Sequence, residues 1–382
     1  MNAAPQIPLV RDPLVQRICV GLFILLMMLP GIGQIAGIGC NVKAFEMREP
    51  HVLPAWPQTA ANWVAWPGKF EAWLNDRFGF RNPLVLANNT IRVRILKTST
   101  SSSVVLGRHG WLFYTGERSI EQARGLDRFT PEELDRWIDV MEARQRWLAE
   151  RGIPMLVVAV PNKERVYREE LPAWIGQSHG ESRLDQLSLR LRERQSRLDF
   201  MDLTPGLLAA KATRQVFLKA DTHWTIEGAF TVAYPAIMGW IQAKFPPFVP
   251  LMESNMKRKW YVRPGSDLDL ARMLGLAQIS HEGEWKFKLE GLGHFKSNTR
   301  TTIAGVDVDV LRADRSGTPK VLWYRDSFTI SVYPQLAETF GEAVIVEHRG
   351  LQFDRPLVEA CRPDVVVYQF VERFLTVPMP AE

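Results

Sequence analysis

The sequence predicts an α/β chain: a parallel sheet flanked by helices, preceded by one membrane-spanning helix. Three observations carry this reading. A continuous β-branched run at 153–160 marks a strand buried on both faces, and further strand-like runs follow at 321–324, 343–347 and 364–370. Stretches with helical spacing separate them, and that alternation builds a parallel sheet. From 18 to 42 no charged residue occurs.

The uncharged stretch comes first. Its core of 23 residues, ICVGLFILLMMLPGIGQIAGIGC, is long enough to cross about 30 Å of hydrocarbon. Arg11 and Arg17 precede it, so the positive-inside bias keeps 1–17 in the cytoplasm and exports 43–382. The expected organisation is therefore a cytoplasmic N-terminus (1–17), a signal anchor (18–42) and an exported catalytic domain (43–382). Two alternatives stay open. Gly37-Ile38-Gly39 could be a signal-peptide cleavage site, and Cys40 could carry a lipid.

Composition narrows the function. Charged residues make up 23% and hydrophobic ones 46%, which excludes a disordered chain and a polytopic membrane protein. A net charge of +5 without a clustered basic face gives no case for nucleic acid. Two of the three cysteines, Cys19 and Cys40, lie in or beside the apolar segment, and no C-x-x-C occurs. Neither a disulfide framework, nor zinc, nor thiol redox chemistry is indicated, and no cofactor is expected.

The elements follow in order. GKFEAWLNDRFGFR (68–81) reads as a helix ending in a glycine turn, and LGRHGWLFY (106–114) as a hairpin. Thr130 caps a helix, with Pro131 at its first position and Glu133 as the reciprocal acid. Leu134, Ile138, Met141 and Leu148 then line one face until Gly152. A strand at 153–160 leads into the loop PNKERVYREELP. Residues 182–198 form a leucine-striped helix whose arginines make a solvated face. Short strands at 200–202 and 216–218 precede a helix at 225–244. Residues 251–318 have weak periodicity and read as an insertion of short strands and loops. The alternation resumes with VLWY (321–324), a helix at 328–340, AVIVE (343–347), a helix at 354–361 and DVVVYQF (364–370).

In open α/β sheets, ligands bind at the carboxyl ends of the strands. The polar residues standing there are Asn162 and Lys163, then Asp221 and His223, then Arg325, Asp326 and Ser327, then His348 and Arg349. Ser327 sits where a strand breaks into a helix, so its N–H would face developing negative charge. A serine hydroxyl needs a base. Of seven histidines, His223 alone follows a strand and has a carboxylate two residues before it. In extended backbone Asp221 and His223 would share a side, with Asp221 holding the imidazole tautomer. A capped helix and an ordinary surface turn would produce the same residues.

KADTHWTIEGA (219–229) and WYRDSFT (323–329) resemble the two catalytic blocks of the alginate O-acetylation proteins, the AlgJ/AlgX-like family. That family has an SGNH hydrolase-like fold, circularly permuted so that the Asp-x-His block precedes the Ser block. GKFEAWLNDRFGFR, LGRHGWLFY, PNKERVYREELP, GSDLDLARMLGL (265–276) and DVVVYQFVERFL also match stretches of it, over roughly 65–375, in a layout nearer AlgJ. The resemblance implies Ser327 as nucleophile, His223 as base and Asp221 as its partner. Weaker roles fall to Asn162 as oxyanion or carbonyl donor, Arg349 as a holder of substrate anion, Lys163 as a polysaccharide-facing cation and Trp224 as a packing or sugar-stacking ring. Two departures stand out: Arg325 where the family usually has Gly, and Gln369 where an acid is common.

The implied function is O-acetylation of an exported polysaccharide, alginate or another exopolysaccharide, by a protein anchored in a bacterial inner membrane with its catalytic domain in the periplasm. No metal is expected. The implied partners are a membrane-bound O-acyltransferase that supplies acetyl groups, the polysaccharide, and other exopolysaccharide secretion proteins. An acetylesterase with the same triad and an inactive polysaccharide-binding scaffold are the alternatives.

Overall fold

The structure is a computed structural model that describes residues 12–39, 42–43, 48–176, 180–289, 293–348 and 350–380. Cys40 and Arg349 lie outside the described residues. The chain divides into two units, Met1–Thr100 and Ser101–Glu382. Residues 48–100, grouped with the catalytic domain on sequence, belong to the first unit.

In the first unit, helix α1 (Pro13–Ile35) is long and apolar enough to cross a membrane. The Asp12 carboxylate caps it by accepting from the Leu14 N–H. The helix begins earlier and ends earlier than the uncharged stretch. It stops because Gly37 takes a φ of 66°, a left-handed position that suits glycine. Helices α2 (Ala60–Arg77) and α3 (Arg81–Thr90) follow, and α3 continues into one wider turn, Ile91–Ile95. The buried Asp76 carboxylate accepts from Arg48 and from the His51 N–H. The Arg48 hydrogen bond is the chief reason this carboxyl sits well below the usual carboxylate range.

The second unit begins with the hairpin β1 (Val104–Leu106) and β2 (Leu112–Tyr114). Helix α4 (Pro131–Ala149) starts on the Thr130–Glu133 capping box. Strand β3 (Met155–Val160), helix α5 (Arg183–Glu193) and strand β4 (Phe200–Asp202) follow. The arginines of this segment are not simply solvated: Arg190 on α5 grips Asp135, and Arg194 just past its end meets Asp139, both partners on α4.

Helix α6 (Tyr234–Lys244) continues from shorter turns that start at Ile226. Strands β5 (Lys257–Pro264) and β6 (His281–Lys288) make a separate antiparallel hairpin. Then come β7 (Phe295–Ile303), β8 (Val306–Ala313), β9 (Val321–Arg325), α7 (Tyr333–Thr339), β10 (Glu342–Glu347), α8 (Arg355–Cys361) and β11 (Val365–Val371).

The main sheet has seven strands in the order β4-β3-β11-β9-β10-β8-β7. The five from β4 to β10 are parallel, and β8 and β7 extend them antiparallel. This corrects the reading of 251–318 as an insertion: only β5–β6 stands apart, while β7 and β8 enlarge the sheet. The physical reason is a period of two. Val306, Val308 and Val310 alternate with Asp307 and Asp309, and a left-handed Gly305 (φ 81°) turns the chain between the strands.

Both faces of the sheet are covered. Leu156, Val158, Trp323, Ile345 and Val367 point into one core with Phe217, Trp224 and Phe328. Met155, Val157, Tyr324, Val346 and Tyr368 point into the other, with α4, α5 and α8 above it. Every residue of β3 and β11 is buried, which is why these strands read as unbroken apolar runs.

Candidate active site

Ser327 stands two residues past β9, at the first position of a short 3-10 turn (Ser327–Val332). The Asp326 carboxylate caps that turn by accepting from the Phe328 N–H at 2.9 Å. Asp221 and His223 lie in a loop closed by a single bridge between Phe217 and Trp224. The expected strand at 216–218 is therefore only that bridge. The two side chains meet through a turn, not through extended backbone. Asp221 Oδ1 accepts from the His223 backbone N–H at 2.8 Å and faces His223 Nδ1 at 2.7 Å.

On its other side, His223 Nε2 lies 2.7 Å from Ser327 Oγ. The serine and the histidine are 104 positions apart in sequence. The tertiary joint that brings them together is Trp224. Its indole N–H donates to the Phe328 carbonyl at 2.9 Å, and its ring packs edge-on against Phe328. Trp224 is buried, so it is not a sugar-stacking platform; as the residue after His223, it is clamped to Phe328, the residue after Ser327.

Burial alone would raise the Asp221 pKa, but the His223 hydrogen bond and charge outweigh it and hold the carboxyl at about 2. Asp221 is thus ionised, and a carboxylate facing Nδ1 favours the tautomer with the proton there, which leaves Nε2 to accept from Ser327. Asp269 joins this group. Its backbone N–H donates to Asp221 Oδ2 at 2.8 Å, its carboxylate takes the Thr222 hydroxyl and N–H, and one oxygen lies 3.7 Å from His223 Nδ1. Burial first, and then the Asp221 charge, raises the Asp269 pKa. Asp221, His223 and Asp269 have the spacing to surround a cation. With its proton on Nδ1 facing Asp221, however, the imidazole has no lone pair to offer there.

Residues 104–290 match the family model described as "SGNH hydrolase-like domain, acetyltransferase AlgX". Over this stretch the chain is similar to the AlgJ/AlgX-like proteins. It is 34% identical over 133 residues to a protein of Pseudomonas aeruginosa named "Probable alginate O-acetylase AlgJ", covering 34% of this chain and 31% of that one. A protein of the same name from Azotobacter vinelandii is 30% identical over 183 residues, covering 47% of this chain and 43% of that one. The chain thus spans under half the length of these relatives. Among solved structures, Bacillus cereus PatB1 with a sulfonyl adduct superposes with a TM-score of 0.51 at 13% identity, covering 72% of this chain and all of that one; this likeness concerns the fold alone.

Other residues expected at the site fall elsewhere. Lys163 is not a polysaccharide-facing cation. It is buried, and its ammonium donates to the carbonyls of Leu218 (3.1 Å), Lys219 (3.1 Å) and Asp221 (2.6 Å). Burial lowers its pKa to about 8, against the pull of Glu164 and Asp221. Lys163 is the pin of the loop that carries Asp221 and His223. Lys163→Met is therefore expected to cost about 3 kcal/mol, because buried carbonyls lose a charged donor, and to reduce turnover at least tenfold as the loop loosens. Thermal melts and rates measured together check this; a variant as stable and as active as the parent would refute the pinning role.

Asn162 is buried as well. Its side-chain amide donates to Gln122 at 3.1 Å and its backbone N–H to Glu372 at 3.0 Å. Those bonds place it in a network with Glu372 and Ser182, and no bond joins it to Ser327 or His223 among the described residues. Arg349, expected to hold a substrate anion, lies outside the described residues.

The two departures from the family pattern have physical readings. The Gln369 amide donates to Asp326 Oδ1 at 3.4 Å, where an acid would set two buried carboxyls against each other. Arg325 makes its contacts with residues other than Ser327 among the described residues. It lies over Tyr333 and 3.7 Å from Glu347, lining a polar cleft of 230 Å³ with Arg300, Asp307, Asp309 and Asp354. His348, another histidine at a strand end, is buried against Tyr368 and meets no hydrogen-bond partner at either ring nitrogen among the described residues. Asp269 and Thr222 are the residues that sequence reasoning missed. The GSDLDLARMLGL segment was the available signal, but its aspartates carried no spacing that tied them to His223.

Proposed function

We propose that this chain is a membrane-anchored O-acetyltransferase of an exported polysaccharide, with Ser327 as nucleophile, His223 as general base and Asp221 as its orienting acid. The single observation that carries the reading is the chain of two 2.7 Å contacts from Asp221 through His223 to Ser327. This is the arrangement that activates a hydroxyl for acyl transfer.

In the first half-reaction Ser327 Oγ attacks the acetyl carbonyl while His223 Nε2 takes its proton. The leaving group departs with that proton, leaving acetyl-Ser327. In the second, His223 takes the proton of an acceptor hydroxyl, whose oxygen attacks the acetyl carbon, and returns the proton to Ser327. The Ser327 N–H, at the first turn after β9, is placed to serve the oxyanion. Asp221 keeps the imidazole in the tautomer that can accept at Nε2. The names of the relatives favour alginate as the polymer. The apolar helix α1 fits a single-pass inner-membrane anchor with the second unit in the periplasm. A membrane-bound O-acyltransferase would bring acetyl groups to it, alongside the other proteins that export the polymer.

The test offers the full chain in detergent an activated acetyl ester with and without alginate and neutral oligosaccharides. Mass spectrometry is expected to find oligosaccharide heavier by one acetyl group. Rapid acetate release with no acetylated sugar would replace this reading with the esterase; neither product would favour the scaffold.

A further inference from the structure

The first unit exposes more apolar surface than a water-facing unit tolerates. On α2, Trp63, Val64, Pro67 and Leu74 fall on one side, interrupted by the exposed Glu71, with Lys69 and Asn62 on the other. Val64 is 86% exposed and Trp63 51%. On α3 and its continuation, Leu84, Ile91 and Ile95 recur at offsets of seven and four, a single stripe, and all three are exposed. Before α2, Val52, Leu53 and Trp56 are exposed as well, and Trp56 packs edge-on against both Trp63 and Trp66. Patches this large mark a surface that is covered in use.

What covers it is indicated by where it is attached. The turn between α2 and α3 packs directly on the C-terminal end of α1. A Cβ on Gly79 would lie 2.2 Å from the Pro30 carbonyl, and one on Gly33 would strike the Phe80 ring. Hydrogen bonds from the Phe80 N–H to the Ile38 carbonyl and from the Asn82 N–H to the Gly39 carbonyl fasten the same joint. The stripes therefore begin where the apolar helix ends. Between 60 and 97 the chain carries six basic residues (Lys69, Arg77, Arg81, Arg92, Arg94, Lys97) against Glu71 and Asp76, and Asp76 is already taken by Arg48. Tryptophan beside basic groups at the end of a spanning helix is the composition of a membrane–water interface.

We propose that α2 and α3 form an interfacial collar, lying in the headgroup region of the bilayer with the Trp63–Leu74 and Leu84–Ile95 stripes turned toward the acyl chains. The proposal rests on reading α1 as a membrane anchor. The collar would hold the anchor's outer end at a fixed depth, which a single flexible helix cannot do.

The experiment uses the full chain in nanodiscs of phosphatidylethanolamine and phosphatidylglycerol. The photocrosslinker benzoylphenylalanine replaces Val64, Ile95, Lys69 or Leu25, one at a time. Melting temperatures establish that each variant is folded, and mass spectrometry reads phospholipid adducts. Adducts are expected at 64, 95 and 25, and several-fold fewer at 69. Adducts at 25 with none at 64 and 95 would overturn the collar while leaving the anchor intact; this is also the outcome if a protein partner covers the stripes instead. No adduct at 25 would overturn the anchor itself.

Discussion

Replacing Ser327 by alanine is expected to lower acetyl transfer by ~10⁴-fold or more, the scale on which nucleophile loss acts in serine triads. The fold should survive. Ser327 is half-buried, its hydroxyl meets His223 alone among the described residues, and the turn that follows is capped by Asp326, not by the serine. Losing one such hydrogen bond costs about 1 kcal/mol. The decisive measurement is trapping. Quenching the parent with acid during turnover should leave an acetyl group on the peptide containing Ser327, and the alanine variant should show neither the adduct nor the turnover. An acetyl group on any other residue, or an active alanine variant, would remove Ser327 from the mechanism. The His223→Ala protein should keep the serine but lose the adduct's rate of formation by a similar factor, since the hydroxyl then has no base within reach.

Asp221→Asn should cost ~10³–10⁴-fold in turnover, because an amide can hold the ring in place but no longer favours the tautomer that leaves Nε2 free. The same substitution has a signature in stability. Asp221 has its pKa held at about 2 in the fold, where the His223 contacts outweigh burial, against an ordinary value near 3.9 in the unfolded chain. The carboxylate form is thus favoured by folding. Its contribution, about 2 kcal/mol, is complete above pH ~4 and is lost as pH falls toward 2, where both states become protonated. Urea unfolding at pH 5 and at pH 2.5 measures it. The parent should exceed the asparagine variant at pH 5, and the gap should shrink to about a third at pH 2.5. A gap that stays constant across that range would mean that the Asp221 charge is not what the fold uses.

The reach of sequence reasoning can be judged element by element. The helix at 131–149 was legible because its start is local chemistry: Thr130 and Glu133 exchange hydrogen bonds three residues apart. Strands β3, β9, β10 and β11 were legible because burial on both faces leaves only apolar residues to use. Strands β7 and β8 were taken for an insertion because their outer positions, such as Lys296, Arg300 and Arg312, are polar and dilute the pattern. Antiparallel strands near a sheet edge can stay half-wet, so burial does not write itself into their composition.

For the site, the residue types at strand ends pointed to serine, histidine and aspartate, and the family resemblance gave them an order. Residue types and their spacing mark Ser327, His223 and Asp221 as candidates, and the uncharged run marks the apolar helix before them. Which groups meet is set by the packing of distant segments. It placed Ser327 against His223 through the Trp224–Phe328 joint, brought Asp269 in behind Asp221, and turned Lys163 inward to pin the loop. The physical reason lies in distance along the chain. Caps, turns and periodicity are written within a few residues, whereas the carbonyls that Lys163 holds lie 55 to 58 positions away. No local pattern marks a lysine for that task, and on composition alone its charge belongs to the surface.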